Sequence, residues 1–274
     1  MGRDTREDAP AGMVDLHTHI IPGVDDGAPD LDSAIETLRT LSADGIAGVA
    51  GTPHLNASNP NSRRRDRADA VWPELVERAA EEAPGVELHR GYEIQLDTPN
   101  LDLSDPGLRL GGGRFALVEF YAFTVPDRSA EALARIVADG YVPIVVHPER
   151  YWGYDRNFGV VSEWRQAGAL VQVNSGSLVG EYGEQVRSVA LRFMANGAVD
   201  LIASDNHARP DRCPSLRDAW DLLARDGFEE KARLLLITNP RRILNDEMPL
   251  AVGRLAPRDG LMARIARAFR GGRP

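Results

Sequence analysis

Two histidines separated by a single residue, His17 and His19 in Asp15-Leu16-His17-Thr18-His19, are the first residues of this chain whose spacing suggests chemistry. On an extended strand alternate side chains share a face, so both imidazoles can turn toward one ion. Three more histidines stand in short motifs: Thr52-Pro53-His54, His147-Pro148-Glu149-Arg150 and Ser204-Asp205-Asn206-His207. Glu93, Glu119 and Asp205 place carboxylates in comparable positions. A mixed imidazole and carboxylate set with no thiolate suits Mn²⁺, Fe²⁺, Co²⁺ or Zn²⁺, and several such ions packed together need anionic bridges to offset their repulsion. Ions about 3.5 to 4 Å apart can generate a bridging hydroxide at neutral pH and hold a phosphoryl group in line for attack. A set of this kind suits metal-assisted hydrolysis.

Were the substrate a phosphoryl group, its charge would call for fixed cations. Arg150 and Arg212, beside His147 and His207, are the candidates for phosphate binding, with Arg209 competing for the second place. Tyr121, Phe123, Tyr151, Trp152 and Tyr154 crowd the same stretches, and some of them should wall a cleft for a phenyl ring. His89, the sixth histidine, alternates with Glu93, but ordinary packing is its favoured reading. Cys213 is the only cysteine. A cysteine-dependent phosphatase places Arg six residues after its nucleophile, yet position 219 is Ala and Arg217 comes two residues too early, so Cys213 reads as structural.

Elements that could position these groups are visible as a β/α alternation. Seven apolar runs, MVDLH, IAGVAGT, VELHRGYEI, FALVEF, VPIVVH, ALVQVN and VDLIAS, read as strands. Between them Asp32 to Ala43, Arg63 to Glu82, Ala130 to Asp139 and Val186 to Asn196 carry apolar residues at helical spacing. Alternation of this kind demands a parallel sheet, and the expected architecture is an α/β barrel of about seven strands. His17, His54, Glu93, Glu119, His147, Asn174 and Asp205 each fall at or just past a strand end, the face on which parallel barrels carry their sites.

Length and composition are consistent with this. A chain of 274 residues, 43% hydrophobic, can build one large core. One cysteine excludes a disulfide framework, and no apolar run announces secretion or a membrane span, so a cytoplasmic location is expected. A net charge of -9 disfavours nucleic-acid binding. Residues 1–12 read as a disordered leader, 13–250 as the catalytic barrel and 251–274 as a tail. In that tail Leu261, Ile265 and Phe269 share a helical face with Arg264, Arg267 and Arg270 elsewhere. It could contact an anionic membrane, or pack on the barrel or on a second copy in a homo-oligomer, and packing is favoured.

The blocks DLHTHIIPGVDDGAPD, TPHLN, GYEI, LVEF, HPERY, LVQVNSGSLVGEYG and IASDNHARPDRCPSL, spread from about Met13 to Leu244, resemble the PHP (polymerase and histidinol phosphatase) superfamily. Within it they are similar to the bacterial CpsB/CapC-type tyrosine-protein phosphatases encoded with capsule polysaccharide genes. That resemblance implies a distorted (β/α)7 barrel of the PHP type with a trinuclear site, Mn²⁺ being the expected metal. One ion would be held by His17, His19, Glu93 and Asp205, a second by Glu93, Glu119 and His147, a third by Asp26, His54 and His207. Glu93 would bridge, and Asp25 competes with Asp26. The implied substrate is a phosphotyrosine protein, the tyrosine-rich tail of a polysaccharide-export kinase. A histidinol-phosphate or other small-phosphomonoester phosphatase is the alternative enzyme, and a non-catalytic PHP binding scaffold the alternative of another class.

Overall fold

The computed structural model describes residues 10–151, 158–209 and 215–255. Nine strands run through them: β1 (Met13–Thr18), β2 (Ile46–Gly51), β3 (His54–Asn56), β4 (Glu87–Arg90), β5 (Glu93–Leu96), β6 (Phe115–Phe120), β7 (Val142–Val146), β8 (Leu170–Asn174) and β9 (Leu201–Ala203). Every pairing is parallel, in the orders β1-β2-β4 and β3-β5-β6-β7-β8-β9. The helices between them are α1 (Leu31–Ala43), α2 (Arg63–Glu82), α3 (Ser129–Ala138), α4 (Phe158–Gln166), α5 (Ser175–Val179), α6 (Glu184–Asn196), α7 (Leu216–Arg225), α8 (Glu229–Arg233) and α9 (Asn239–Leu244).

The two sheets belong to one distorted barrel. β3 continues the path of β2 after a break at Thr52-Pro53, and β5 continues β4 after a break at Gly91-Tyr92. Pro53 has no N–H to give a ladder, which fits the first break. Backbone bonds still cross both interruptions, from Gly91 N to Gly51 O at 3.2 Å and from Glu93 N to Pro53 O at 3.1 Å. The ring closes where β9 meets β1: Asp205 N donates to His17 O at 2.9 Å and His19 N to Asn206 O at 2.7 Å. The nine strands therefore follow the seven paths expected from the apolar runs, with VELHRGYEI divided between β4 and β5 and with β3 added beyond the end of IAGVAGT.

Alternation along the strands sorts two cores. On β6, Phe115 and Leu117 join Ile144, Val146, Leu170 and Leu201 inside the barrel, and Glu119 continues that same face. Ala116, Val118 and Phe120 point the other way, into the larger core shared with the helices. There the stripe Ile35, Leu38 and Leu41 of α1 is buried, and Asp30 caps that helix by accepting from Ser33 N at 2.8 Å. Val252 and Leu255 are also buried, and Leu255 N bonds to Met194 O of α6 at 3.2 Å. The tail helix expected at 261–269 and most of the leader lie outside the described residues.

Candidate metal centre

Five histidines and four carboxylates converge at the carboxyl ends of the strand paths. Donor atoms of His17, His19, Glu93 and Asp205 lie within 4.8 Å of one another, as do those of His19, Asp26, His54 and His207, and those of His54, Glu93 and Glu119. Glu93 is central: its Oε2 is 3.3 Å from His17 Nε2, 3.3 Å from His19 Nε2 and 2.9 Å from His54 Nδ1, while Oε1 is 2.7 Å from His147 Nε2. The last of the three groupings differs from the second set expected, because His54 rather than His147 stands with Glu93 and Glu119; His147 meets the other oxygen of Glu93. His17, His19 and Glu93 are fully buried, whereas the side chains of His54, His207 and Asp26 are 30%, 20% and 57% exposed. The cluster therefore opens to solvent on the Asp26 side.

Hydrogen bonds behind the imidazoles aim them. His17 Nδ1 is 2.9 Å from Gln172 Oε1, and that amide is held in turn by its Nε2 donating to Asn174 Oδ1 at 2.7 Å. His19 Nδ1 is 2.8 Å from Asp25 Oδ2, and His207 Nδ1 is 2.9 Å from the Asp205 carbonyl oxygen. Each partner can only accept, so each Nδ1 carries a proton and Nε2 is the nitrogen left to offer a lone pair to an ion. His17 Nε2, His19 Nε2 and Glu93 Oε2 are buried with no hydrogen-bond partner. Buried donor atoms left open and aimed at one point fit divalent ions well.

This geometry separates the two adjacent aspartates. Asp25 accepts from His19, from His54 N at 2.9 Å and from Gly27 N at 3.0 Å, so its oxygens are already engaged. Asp26 instead turns Oδ1 to within 3.4 Å of His207 Nε2 and 3.6 Å of His54 Nε2. Gly27 makes the turn possible: a Cβ there would lie 2.0 Å from His19 O. Two other members stand on uncommon backbone, His147 with φ 35° and Asp205 with φ 57°. Left-handed conformations in residues other than glycine are costly, and here they turn both side chains into the cluster.

Electrostatics point the same way. Burial pushes the imidazoles of His17 and His19 down, but the facing carboxylates outweigh it and both stand above the ordinary histidine range. His54, pushed down by burial and up by Glu93 and Glu119, reaches about 10. Burial raises Glu93, yet His17 and His54 hold it well below the usual carboxylate range. Such a pocket demands positive charge, and metal ions would meet that demand by displacing protons.

Arg150 reaches the cluster, donating from Nη1 to Asp205 Oδ2 at 2.7 Å. Arg209 donates to Asp26 Oδ2 at 3.0 Å; Arg212 and Cys213 lie outside the described residues. Among the candidate cleft aromatics, Tyr121 is 64% exposed and Phe123 packs edge-on to His147 with centroids 5.6 Å apart. Tyr151 is buried with its hydroxyl accepting from Phe120 N, which makes it core; Trp152 and Tyr154 fall outside the described residues. His89 lies apart on β4, 3.4 Å from Glu87. Sequence reasoning missed the supporting roles of Gln172 and Gln95, the latter donating to Glu119 Oε1 at 3.2 Å. The alternation of Gln172 with Asn174 on β8 was the available signal.

A parallel-stranded barrel with a histidine–carboxylate cluster at the carboxyl ends of its strands defines the class of barrel metallohydrolases. Comparison with known proteins narrows the class. The chain belongs to the family described as capsular polysaccharide synthesis, CpsB/CapC, which matches residues 13–245. It is 29% identical over 240 residues to the tyrosine-protein phosphatase YwqE of Bacillus subtilis, covering 86% of this chain and 92% of that protein. It is 27% identical over 243 residues to the tyrosine-protein phosphatase CpsB of Streptococcus pneumoniae, covering 86% of this chain and 100% of that one. A structure from work on YwqE of B. subtilis and CpsB of S. pneumoniae, described as metal-dependent tyrosine phosphatases, superposes with a TM-score of 0.77. It has 28% identity and covers 90% of this chain and 98% of its own. A phosphotriesterase homology protein from Escherichia coli shares the fold alone, with a TM-score of 0.55 at 13% identity, covering 86% of this chain and 99% of that one.

Proposed function

We propose that this chain is a metal-dependent protein-tyrosine phosphatase whose substrate is a phosphotyrosine protein, the tyrosine-rich tail of a polysaccharide-export tyrosine kinase. The observation carrying the reading is the convergence of His17 Nε2, His19 Nε2 and Glu93 Oε2, buried and without a hydrogen bond, among three donor groups. His17, His19, Glu93 and Asp205 would hold one ion. Glu93 and Glu119 with His147 or His54 would hold a second, and Asp26, His54 and His207 a third at the mouth. Three divalent ions, with Mn²⁺ proposed and Fe, Co or Zn chemically compatible, would activate water and neutralise phosphoryl oxygens when bound.

The chain's own groups do the rest. Glu93, buried between imidazoles, supplies the negative charge that lets cations crowd together. Gln172, Asp25 and the Asp205 carbonyl fix the proton on Nδ1 of three histidines, which keeps Nε2 available. Arg150, anchored on Asp205, would present further N–H donors to phosphoryl oxygens beside the cluster. The family match and the similarity to tyrosine-protein phosphatases support phosphotyrosine as substrate over histidinol phosphate.

The test is selectivity. Metal-loaded protein is given phosphotyrosine, phosphoserine and phosphothreonine peptides and histidinol phosphate under one condition, and kcat/KM is compared. Phosphotyrosine peptides should exceed the others by about a hundredfold or more, the discrimination available when a pocket accepts an aromatic leaving group. Preference for histidinol phosphate would replace the substrate assignment while keeping the metal chemistry.

A further inference from the structure

The Arg150 guanidinium lies over two aromatic rings, with its central carbon 4.9 Å from the Phe123 centroid and 4.6 Å from the Tyr182 centroid. We propose that Phe123 and Tyr182 are positioning residues, an aromatic clamp that holds the Arg150 guanidinium in the plane where it binds the phosphoryl group. The inference rests on the phosphatase reading above and concerns the same site.

Three features of the fold build the clamp. Phe123 arrives through a turn, Tyr121–Phe123, in which Ala122 and Phe123 both have φ 52°. A left-handed pair without glycine persists only where the surroundings insist on it, and here the turn sets Phe123 against His147 on one side and Arg150 on the other. Tyr182 sits in the connection between α5 and α6, with Gly180 at φ 95° and Gly183 at φ 92° flanking it. Its ring rests against Gly176, where a Cβ would come 3.1 Å from Tyr182 Cε2, so the bare α-carbon leaves room for the ring. The block GSLVGEYG thus has a local purpose: its glycines place one tyrosine over one arginine.

The clamp answers a geometric difficulty. Asp205 Oδ2 already accepts from Asn174 Nδ2 at 2.8 Å as well as from Arg150 Nη1 at 2.7 Å, while its Oδ1 faces His17 and His19. Held by that one bond from Nη1, an unrestrained arginine could swing its remaining donors away from the position that a phosphoryl group needs. Guanidinium donors lie in the plane of the group, and two rings with centroids 4.9 Å and 4.6 Å from its central carbon restrain that motion without accepting any of its N–H bonds. The Tyr182 hydroxyl is pushed up to about 12, by burial first and then by the Asp205 charge, so it stays protonated and the ring is the part in use.

A double-mutant cycle on full-length, metal-loaded protein tests this. Tyr182→Leu, Phe123→Leu, Tyr182→Phe, Arg150→Ala and the pair Tyr182→Leu with Arg150→Ala are compared for metal content, for kcat and KM with para-nitrophenyl phosphate, and for calorimetric affinity for inorganic phosphate. Each Leu variant should keep its metals and bind phosphate about tenfold more weakly, the scale of a partly buried cation–π contact. Tyr182→Phe, which keeps the ring, should rescue the loss. In the Arg150→Ala background Tyr182→Leu should add less than about twofold, because its effect passes through that arginine. An undiminished cost of Tyr182→Leu in that background, or wild-type phosphate affinity in both Leu variants, overturns the clamp. If the wild type fails to turn over substrate the phosphatase reading fails, yet the phosphate cycle still judges the clamp. A wild type with no affinity for phosphate sinks both.

Discussion

At the scale of single residues, binding of metal and binding of phosphate should come apart by substitution. Glu93→Gln removes the charge on which four imidazoles converge, so metal content and turnover should fall together. Arg150→Ala should keep its metals and lose roughly a hundredfold in kcat, the usual cost of removing a group that stabilises transition-state charge. Elemental analysis beside steady-state kinetics on both proteins checks the pair, and an Arg150→Ala enzyme with wild-type kinetics would remove that residue from the site. Asp25→Asn should weaken metal binding by about 10- to 100-fold through the orientation of His19, while leaving the ligand count intact; metal titration of the variant measures it. The candidate ligands were legible in the sequence because their types cluster at strand ends. Asp25 and Asp26 were not separable there, since adjacent acids differ only in where the backbone aims them. Gln172 carried no chemical signal of its own, because a neutral amide becomes meaningful only when a histidine nitrogen faces it.

At the scale of elements, periodicity gave the strand and helix runs, and α1, α2, α3 and α6 fall where the apolar spacing put them. It did not show the breaks at Thr52-Pro53 and Gly91-Tyr92, which depend on how the strand ladders shift in three dimensions. Those breaks have a consequence for the site: His54 and Glu93 begin new strands and so sit at a step in the barrel wall, level with His17 and His19. The turn at Gly27 is the tightest constraint on this arrangement, with the hypothetical Cβ 2.0 Å from His19 O. Gly27→Ala should therefore displace the Asp25-Asp26 segment and cost about 1–3 kcal/mol of stability, in the range of other overpacking changes. Denaturant titration reads the stability and metal titration reads the displaced aspartates; a variant unchanged in both would mean that the turn relaxes freely.

At the scale of the whole molecule, the barrel brings together residues from position 17 to position 207, so the cluster exists only in the folded chain. No helix of the described residues is long and apolar enough to cross a membrane. Metal ions that bind the folded state alone should raise its melting temperature, and chelation should lower it. Cys213→Ser should leave the rate nearly intact, because hydrolysis at a metal cluster needs no covalent phosphocysteine; a loss beyond about a hundredfold in folded protein would revive the cysteine route. The most direct measurement follows one preparation through chelation, dialysis and reconstitution, with elemental analysis and phosphotyrosine-peptide turnover taken at every stage. Turnover should fall to background as the metal leaves and return with Mn²⁺ or Co²⁺ in proportion to the metal regained. Full turnover in protein shown by elemental analysis to be metal-free would contradict metal-dependent hydrolysis at this site.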